Sequence, residues 1–257
     1  MQVYSTVGWR TALDILTFNP LEAAAYTIGD QQRMSHAKNY FAWQARLVTR
    51  EIGRRVIEVG CGVGNFTGAL LDREAILALD KEPRCIEELQ RRYANHRKLH
   101  ALRCDVDTLN ERRSELASFA ADSCVCLNVL EHIADDARAL RAMSSLLAPG
   151  GVIVLLLPAF PALYGPIDRN LGHYRRYTLD SLTRLAAETG LHVRKAHYVN
   201  CAGFFGWWLN SHILRRETQS EKQIAAFERL VPVLSRVEGI AHPPFGQSLF
   251  AVLETPC

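Results

Sequence analysis

Between residues 54 and 157 the chain alternates short runs of apolar, often β-branched residues with longer stretches in which apolar residues recur at helical spacing. This alternation is typical of βαβ units that build a parallel sheet. Within the short runs consecutive positions are apolar, which predicts strands covered by helices on both faces. Five strands are predicted here: Arg55 to Gly60, Ala75 to Asp80, His100 to Asp105, Ser123 to Asn128 and Gly151 to Leu157.

Proline and glycine mark the helices between these strands. Pro83 suits a first helical turn, where its missing N–H would have no partner, and it predicts a helix running to about His96. A second helix is predicted from near Ile133 to the turn at Pro149-Gly150-Gly151, which leads into the fifth strand.

The pattern continues beyond the fifth strand. Thr178 predicts the N-cap of a helix that ends at Gly190. Strands near Val193 to Val199 and near Gln247 to Leu253 would complete the sheet.

Two regions lie outside the alternation. Residues 1 to 52 are predicted to form a helical N-terminal extension or lid, and residues 53 to 257 the main domain. Residues 201 to 243 form an insertion before the last strand that opens with the aromatic stretch "CAGFFGWWLNSHIL". Its aromatic side chains fit an apolar substrate pocket, a membrane-surface contact, a dimer interface or plain core packing.

Composition narrows the class of protein. A net charge of +3 over 257 residues predicts no nucleic-acid partner, because nucleic-acid binders concentrate basic residues on one face. The seven cysteines form no CxxC pair and lie mostly in apolar segments, which favours free thiols in the cytoplasm. No histidine stands at a metal-site spacing from a cysteine, so no metal is expected. Neither a signal peptide nor a transmembrane run is predicted, and membrane-surface contact and a homodimer stay open.

The most specific motif is "IEVGCGVGNF" at the end of the first strand, where Gly60, Gly62 and Gly64 alternate with other residues. Glycines let a loop turn sharply and lay its backbone against a ligand. A nicotinamide-binding loop would place its third glycine at position 65, where this chain has Asn65. The motif therefore argues against a nicotinamide oxidoreductase, which remains the competing enzyme class.

Carboxylates follow three adjacent predicted strands. Glu58 precedes the glycine loop and would favour an ammonium or sulfonium group over a phosphate. Asp80 ends the second strand, where a carboxylate accepts ribose hydroxyls. Asp105 ends the third and could reach an adenine amino group. Each could instead be a helix cap.

In this order and spacing the segments "VIEVGCGVGNF", "LALDKEP", "RCDVDTL", "DSCVCLNVLEHIADD" and "LLAPGGVIVLLLP" resemble the class I S-adenosylmethionine-dependent methyltransferases over about residues 36 to 255. The resemblance implies a Rossmann-like α/β fold with a seven-stranded, mostly parallel sheet whose last strand is antiparallel. It implies S-adenosyl-L-methionine as the cofactor, with Glu131 and His132 at the start of the helix that follows the fourth strand. The cofactor-binding residues it implies are Tyr40, Glu58, Gly60, Gly62, Gly64, Asn65, Phe66, Asp80, Lys81, Cys104, Asp105, Val106, Asn128, Val129 and His132.

The second half, with "LYGPIDRNLGHYRRYT", is similar to a bacterial subgroup of these enzymes that accompanies glycosyltransferases. The resemblance implies methyl transfer but does not fix the acceptor. Our leading hypothesis is a small-molecule acceptor methylated on the oxygen of a hydroxyl or carboxylate, with an apolar or lipid-linked acceptor left open. N- or C-methylation and a noncatalytic cofactor-binding module are the alternatives.

The acceptor-side candidates lie in that loop. A hydroxyl acceptor must lose a proton, and histidine suits that task at neutral pH. His173 is the predicted base, Asp168 its orienting partner and His132 the competing base. Arg175 and Arg176 could bind an anionic acceptor. Tyr164, Tyr174 and Tyr177 are predicted walls or hydrogen-bond donors; alternatively, the whole loop is a lid whose polar groups satisfy one another.

Overall fold

The computed structural model describes residues 29, 31–218, 220–240 and 243–256 of the chain. Its seven strands are β1 (Arg55–Val59), β2 (Ala75–Asp80), β3 (Leu99–Arg103), β4 (Ala121–Leu127), β5 (Leu147–Pro158), β6 (His192–Val199) and β7 (Ser248–Glu254). They form one sheet in the order β3-β2-β1-β4-β5-β7-β6, in which β7 runs antiparallel to both β5 and β6. The predicted fold class, with its antiparallel last strand, is confirmed.

Helices cover both faces of the sheet. In the described part of the chain the α-helices are α1 (Lys38–Val48), α2 (Pro83–Arg92), α3 (Arg113–Ala117), α4 (Asp136–Ser144), α5 (Pro166–Asn170), α6 (Leu179–Glu188), α7 (Cys201–Trp208) and α8 (Glu221–Ile240). Short 3₁₀ turns include Thr67–Leu70, Val106–Thr108, Leu130–His132 and Pro161–Leu163, and a π-helical turn, Leu209–Ile213, continues α7.

The order of the strands creates the crevice in which parallel sheets bind ligands. β1 lies between β2 and β4, so the chain leaves β1 toward one side of the sheet and later returns to its other side at β4. The loops that follow β1, β2 and β4 therefore meet at the carboxyl edge of the sheet.

The inner strands of the sheet are buried on both faces, as their apolar residues predict, whereas the edge strands β3 and β6 are partly exposed. One layer of the core packs Leu140 of α4 and Leu182 of α6 against strand residues such as Ile153. The other places Trp43 of α1 and Val231 of α8 over the opposite face. The backbone N–H of Tyr40 donates to Glu228 of α8 at 3.2 Å and ties α1 to α8.

The predicted helix ends are partly confirmed. Pro83 lies in the first turn of α2, and the side chain of Thr178 caps α6 by accepting from the N–H of Ser181 at 3.1 Å. Gly190 follows the end of α6 in the left-handed conformation.

Two helix boundaries were predicted wrongly. α2 ends at Arg92 rather than near His96, since Tyr93 leaves the helical conformation and its hydroxyl donates to the carbonyl of Gly64 at 3.1 Å. α4 begins at Asp136 rather than near Ile133, because the carboxylate of Asp135 caps it by accepting from the N–H of Arg138.

Strand boundaries also differ, among them those of β3 and β5. β3 ends at Arg103, since Asp105 instead caps the following turn by accepting from the N–H of Asp107 at 3.1 Å. β5 begins at Leu147, so it contains the turn that was predicted to precede it, with Gly150 in the left-handed conformation.

The predicted extension at residues 1 to 52 falls largely on residues 1–28 and 30, which lie outside the described residues, as does Cys257. A search of the described part of the chain for a helix of sufficient length and apolarity to cross a membrane finds none.

Candidate functional site

All three glycines of the glycine loop adopt the left-handed backbone conformation, which lets the loop turn sharply. Gly60, Gly62 and Gly64 have φ angles of 73°, 53° and 81°. A Cβ at Gly64 would lie 2.4 Å from the side chain of Leu89, so the loop packs directly on α2. The backbone of this loop is therefore shaped for close approach, as the sequence predicts.

Asp80 holds the loop from the end of β2. Its carboxylate accepts from the N–H of Gly62 at 2.8 Å and from the N–H of Glu82 at 2.9 Å. Burial raises the pKa of Asp80, and these two hydrogen bonds oppose that rise. The two bonds connect the loops after β1 and β2 through one side chain.

Glu58 lies inside the sheet rather than at its surface. Its side chain is 4% exposed and accepts from the hydroxyl of Thr67 at 2.7 Å. Burial raises the pKa of Glu58 to about 8, so the carboxyl is mostly uncharged at pH 7. The sequence argument assigned it a negative charge facing the cofactor, whereas in the fold it supports the loop from beneath through Thr67.

Gln31 covers the glycine loop and was not predicted. Its side-chain oxygen accepts from the N–H of Val63 at 2.9 Å, and its carbonyl accepts from the amide of Asn65 at 2.8 Å. Gln31 lies before the regular alternation of strands and helices, where periodicity carries no signal for such a contact.

The end of β4 comes close to the glycine loop. Asn128 has a left-handed φ of 54°, and its N–H donates to Leu156 of β5 at 2.8 Å. A Cβ at Gly60 would lie 2.3 Å from the side chain of Val129. The strand ends of β1 and β4 are thus brought together at the crevice.

The other predicted cofactor residues occupy varied places. Phe66 and Cys104 are buried in the core. Tyr40 packs its ring against Trp43 and Phe227. Asp105 caps the 3₁₀ turn that begins at Val106, and the carbonyl of Lys81 accepts from Arg103 at 3.2 Å. Their contacts with the cofactor stay predictions.

The loop after β5 contains a buried carboxylate–histidine pair. Nδ1 of His173 lies 2.9 Å from Oδ1 of Asp168, and the two side chains are 7% and 0% exposed. The loop thus contains the pairing that the sequence analysis predicts.

Three further donors hold Asp168. The N–H of Gly165 donates at 2.9 Å, Nε of Arg176 at 2.8 Å and Nε1 of Trp207 at 3.3 Å. Although burial alone would raise it, the bond from His173 and the charge of Arg176 hold the pKa of Asp168 below its usual value. Trp207 brings the aromatic insertion into this cluster.

Glu131 faces the pair from the other side. Its carboxylate oxygen lies 4.0 Å from Nε2 of His173, and neither of its buried oxygens has a hydrogen-bond partner among the described residues. Burial raises the pKa of Glu131 to about 7. Sequence reasoning named Glu131 only as a helix start, because nothing local to "LEHI" indicates that it is buried beside His173.

His132 lies against the same histidine. The two imidazole rings are 4.6 Å apart and meet edge to face. Burial, followed by the nearness of His173, lowers the pKa of His132 to about 3, so its ring is neutral at pH 7. Both candidate bases therefore belong to one cluster.

The remaining loop residues bind within the protein. Arg175 pairs with Asp136 at 2.6 Å and donates to the carbonyl of Ala134, and Arg176 donates to the carbonyl of Ala159 at 3.0 Å. The hydroxyl of Tyr177 also donates to Asp136, at 2.9 Å. Such contacts with backbone carbonyls are expected if the loop is a lid whose polar groups bond within the protein.

Two tyrosines differ from Tyr177 in their surroundings. The hydroxyl of Tyr164 donates to the carbonyl of His173 at 2.8 Å and so fixes the backbone beside the pair. Tyr174 is 51% exposed, and its N–H donates to the carbonyl of Glu131 at 2.7 Å. The loop is thereby fastened to the segment that follows β4.

Part of the chain is similar in sequence to known methyltransferases. Residues 57–153 match the model of a family described as a methyltransferase domain. Ubiquinone biosynthesis O-methyltransferase of Leptothrix cholodnii is 30% identical over 120 residues, which cover 44% of this chain and 48% of that protein. The match thus spans less than half the length of that curated relative.

Two solved structures share the fold. A SAM-dependent methyltransferase from Archaeoglobus fulgidus aligns with a TM-score of 0.58 at 17% identity, over 90% of this chain and 99% of its own. The N-methyltransferase NodS from Bradyrhizobium japonicum, solved with S-adenosyl-L-homocysteine, aligns with a TM-score of 0.52 at 17% identity, over 95% and 91%. The seven-stranded sheet is the methyltransferase fold.

Proposed function

We propose that this chain, which carries an S-adenosylmethionine-dependent methyltransferase domain of the class I fold, transfers a methyl group to an oxygen of a small acceptor. The observation that carries the proposal is the buried Asp168–His173 pair, whose Nε2 faces Glu131 beside the end of β4. A cofactor loop and a proton-accepting group at the same edge of one sheet are what methylation of a hydroxyl requires.

The loop fits S-adenosylmethionine. The left-handed glycines shape the backbone of the loop for close approach of a ligand, which would replace the contacts of Gln31 there. Asp80 at the end of β2 stands where ribose hydroxyls would be bound. We assign the cofactor contacts to the glycine loop, Asp80, Asp105 and the Asn128–Val129 segment. Bound there, the cofactor supplies a methyl group that is already activated, so this chain has mainly to position the acceptor.

The proton chemistry favours oxygen. A hydroxyl must lose its proton as it is methylated, and His173 is built to receive it: a hydrogen on Nδ1 donated to Asp168 leaves the lone pair of Nε2 free. The curated relative named above also bears the name of an O-methyltransferase. A carboxylate acceptor, which needs no base, is less well served because Arg175 and Arg176 are already paired with Asp136 and Asp168.

The insertion after β6 supports an apolar or lipid-linked acceptor. Trp207 is buried beside Asp168, whereas Phe205 and Trp208 are 58% and 46% exposed. We assign Trp207 to the acceptor pocket and the exposed rings to the acceptor's apolar part or to a membrane surface. Membership of the glycosyltransferase-associated subgroup, a cytoplasmic location, a homodimer and the division at residue 52 are parts of the same proposal.

A labelling experiment tests the function. The full chain is incubated with methyl-labelled S-adenosylmethionine and a panel of phenols, alcohols, carboxylates and amines, and the products are identified by mass spectrometry. Methyl ethers are expected from the wild type. His173→Ala should lower the rate by about 10²–10⁴-fold, the usual contribution of a positioned base.

His192→Ala is the matched control, because His192 is exposed on β6. It should leave the rate unchanged. Exclusive methylation of nitrogen or carbon, or no cofactor binding at millimolar concentration, would overturn the proposal.

A further inference from the structure

Three potential metal ligands converge behind the acceptor loop. One ligand atom each from Glu131, His132 and His173 can be chosen so that all lie within 4.8 Å of one another. Glu131 and His132 follow β4, whereas His173 follows α5. The sequence analysis expected no metal because no histidine stands at a ligand spacing from a cysteine. These three candidate ligands come together only in the folded chain.

Glu131 supplies an independent indication of a ligand. Its carboxylate is buried, yet neither oxygen has a hydrogen-bond partner among the described residues. A buried polar group without a partner costs free energy and is rare in native proteins. A cation between Glu131 and the two imidazoles would supply the missing partner.

Asp168 prepares His173 as a ligand. Histidines that bind metals almost always donate their other ring N–H to a carboxylate or carbonyl, which fixes the tautomer and orients the ring. Nδ1 of His173 is engaged in this way at 2.9 Å, so Nε2 is the nitrogen left to bind. Arg176 pairs with Asp168 and balances its charge, so Glu131 remains the anionic ligand.

We propose that Glu131, His132 and His173 bind a divalent cation of the zinc type, with a fourth position open to the acceptor's oxygen. Two imidazoles and one carboxylate are the ligands of catalytic zinc, whereas magnesium prefers oxygen ligands alone. Zinc bonds of about 2.1 Å in a tetrahedron place ligand atoms about 3.4 Å apart, so small side-chain rotations would close the site.

This inference rests on the proposed function and deepens it. A hydroxyl bound to such a cation has a lowered pKa and releases its proton to water. The ionised oxygen is then held in place for methylation. With the cation bound, His173 acts as a ligand, and the direct proton transfer to Nε2 is the alternative that stands if the site binds no cation.

Calorimetric titration of the chelator-treated full chain with Zn²⁺ tests the site. One ion per chain is expected to bind. Glu131→Gln and His173→Ala should each weaken binding by at least about 10-fold, and Asp168→Asn by about 10–100-fold, the usual effect of losing an orienting partner. His192→Ala should bind as the wild type does. Circular dichroism of each variant confirms that it folds.

The outcome separates this inference from the function. If the wild type binds no Zn²⁺, or if Glu131→Gln and His173→Ala bind it as the wild type does, the cation site is overturned. Binding of S-adenosylhomocysteine by the same chelator-treated protein is expected to be unchanged. Methyl ether formation that continues at full rate in chelator would leave the O-methyltransferase standing and exclude the cation, whereas methylation restored by Zn²⁺ would support both.

Discussion

Asp168 receives hydrogen bonds from two neighbours on one carboxylate oxygen: Nδ1 of His173 and Nε of Arg176 lie 2.9 and 2.8 Å from its Oδ1. The other oxygen accepts from Gly165 and Trp207. One carboxylate thus fastens the loop after β5 to the aromatic insertion after β6. Asp168 therefore stabilises the fold in addition to belonging to the candidate site.

Arg176→Met should destabilise the fold strongly. The Arg176–Asp168 pair is almost fully buried, with side chains 1% and 0% exposed, and removing one partner of a buried pair costs about 3–5 kcal/mol. Arg184→Met removes an exposed pair with Asp180 and should change stability by about 0.5 kcal/mol or less. Urea denaturation measures the free energy of unfolding of both variants. Equal losses of stability would contradict the proposal that Asp168 connects the loop to the insertion.

Gly64→Ala should cost more than Gly190→Ala, although both glycines have left-handed backbone, with φ of 81° and 74°. The conformational cost of about 1–2 kcal/mol is common to both. Only at Gly64 does the new Cβ meet neighbours, 2.4 Å from Leu89 and 3.0 Å from Tyr93, whereas nothing lies within 4 Å at Gly190. We expect a further 1–3 kcal/mol at Gly64, about the cost of overpacking a core.

Urea denaturation of the two glycine variants, with cofactor titration of each, provides the measurement. Gly190→Ala should bind S-adenosylhomocysteine as the wild type does. A Gly64→Ala variant that is no less stable than Gly190→Ala would show that the glycine loop can move away from α2 at no cost in stability.

The sheet could be predicted from sequence because its strands are short apolar runs separated by strong turn residues. Periodicity carries that information locally, and so does the glycine motif. The boundaries were less accurate where a side chain decides them: Asp135 and Asp105 each end or begin an element by accepting a backbone N–H. Such caps depend on the local conformation, which composition does not encode.

The candidate site was also predicted only in part, because local contacts could be predicted from the sequence and long-range contacts could not. Asp168 and His173 lie five positions apart, so their pairing was within reach of sequence reasoning. Glu131 and Gln31 were missed, since their partners at His173 and Val63 come from distant segments that only the folded chain brings near. The charge that the sequence argument assigned to Glu58 is opposed by burial, which raises its pKa to about 8 and is a property of the fold.

Asp80→Ala should weaken cofactor binding by at least about 10-fold. Its carboxylate accepts from the N–H groups of Gly62 and Glu82, and a hydrogen bond to a charged group contributes about 1.5–3 kcal/mol. Without it, the loops after β1 and β2 lose their shared anchor. Titration with S-adenosylhomocysteine measures the change. Asp72→Ala, at an exposed aspartate paired with Arg73, is the control and should bind normally.

Stability should fall as the pH rises through the range in which Glu58 ionises. Burial raises the pKa of Glu58 to about 8 from its usual value of 4.5. Between these values the unfolded chain has released the proton that the folded chain keeps. The stabilisation is therefore complete below about pH 4.5 and lost by about pH 8, at up to about 1.4 kcal/mol per pH unit.

Glu58→Gln isolates this effect, because its amide oxygen can still accept from the hydroxyl of Thr67. The variant cannot ionise at position 58, so its stability relative to the wild type should increase from about pH 5 to about pH 8 and then level off. Urea denaturation at several pH values measures the difference. Glu111→Gln, at an exposed glutamate, should follow the wild type throughout. A constant difference between Glu58→Gln and the wild type would mean that Glu58 is ionised in the folded chain at neutral pH, which would return to it the charge that the sequence argument assumed.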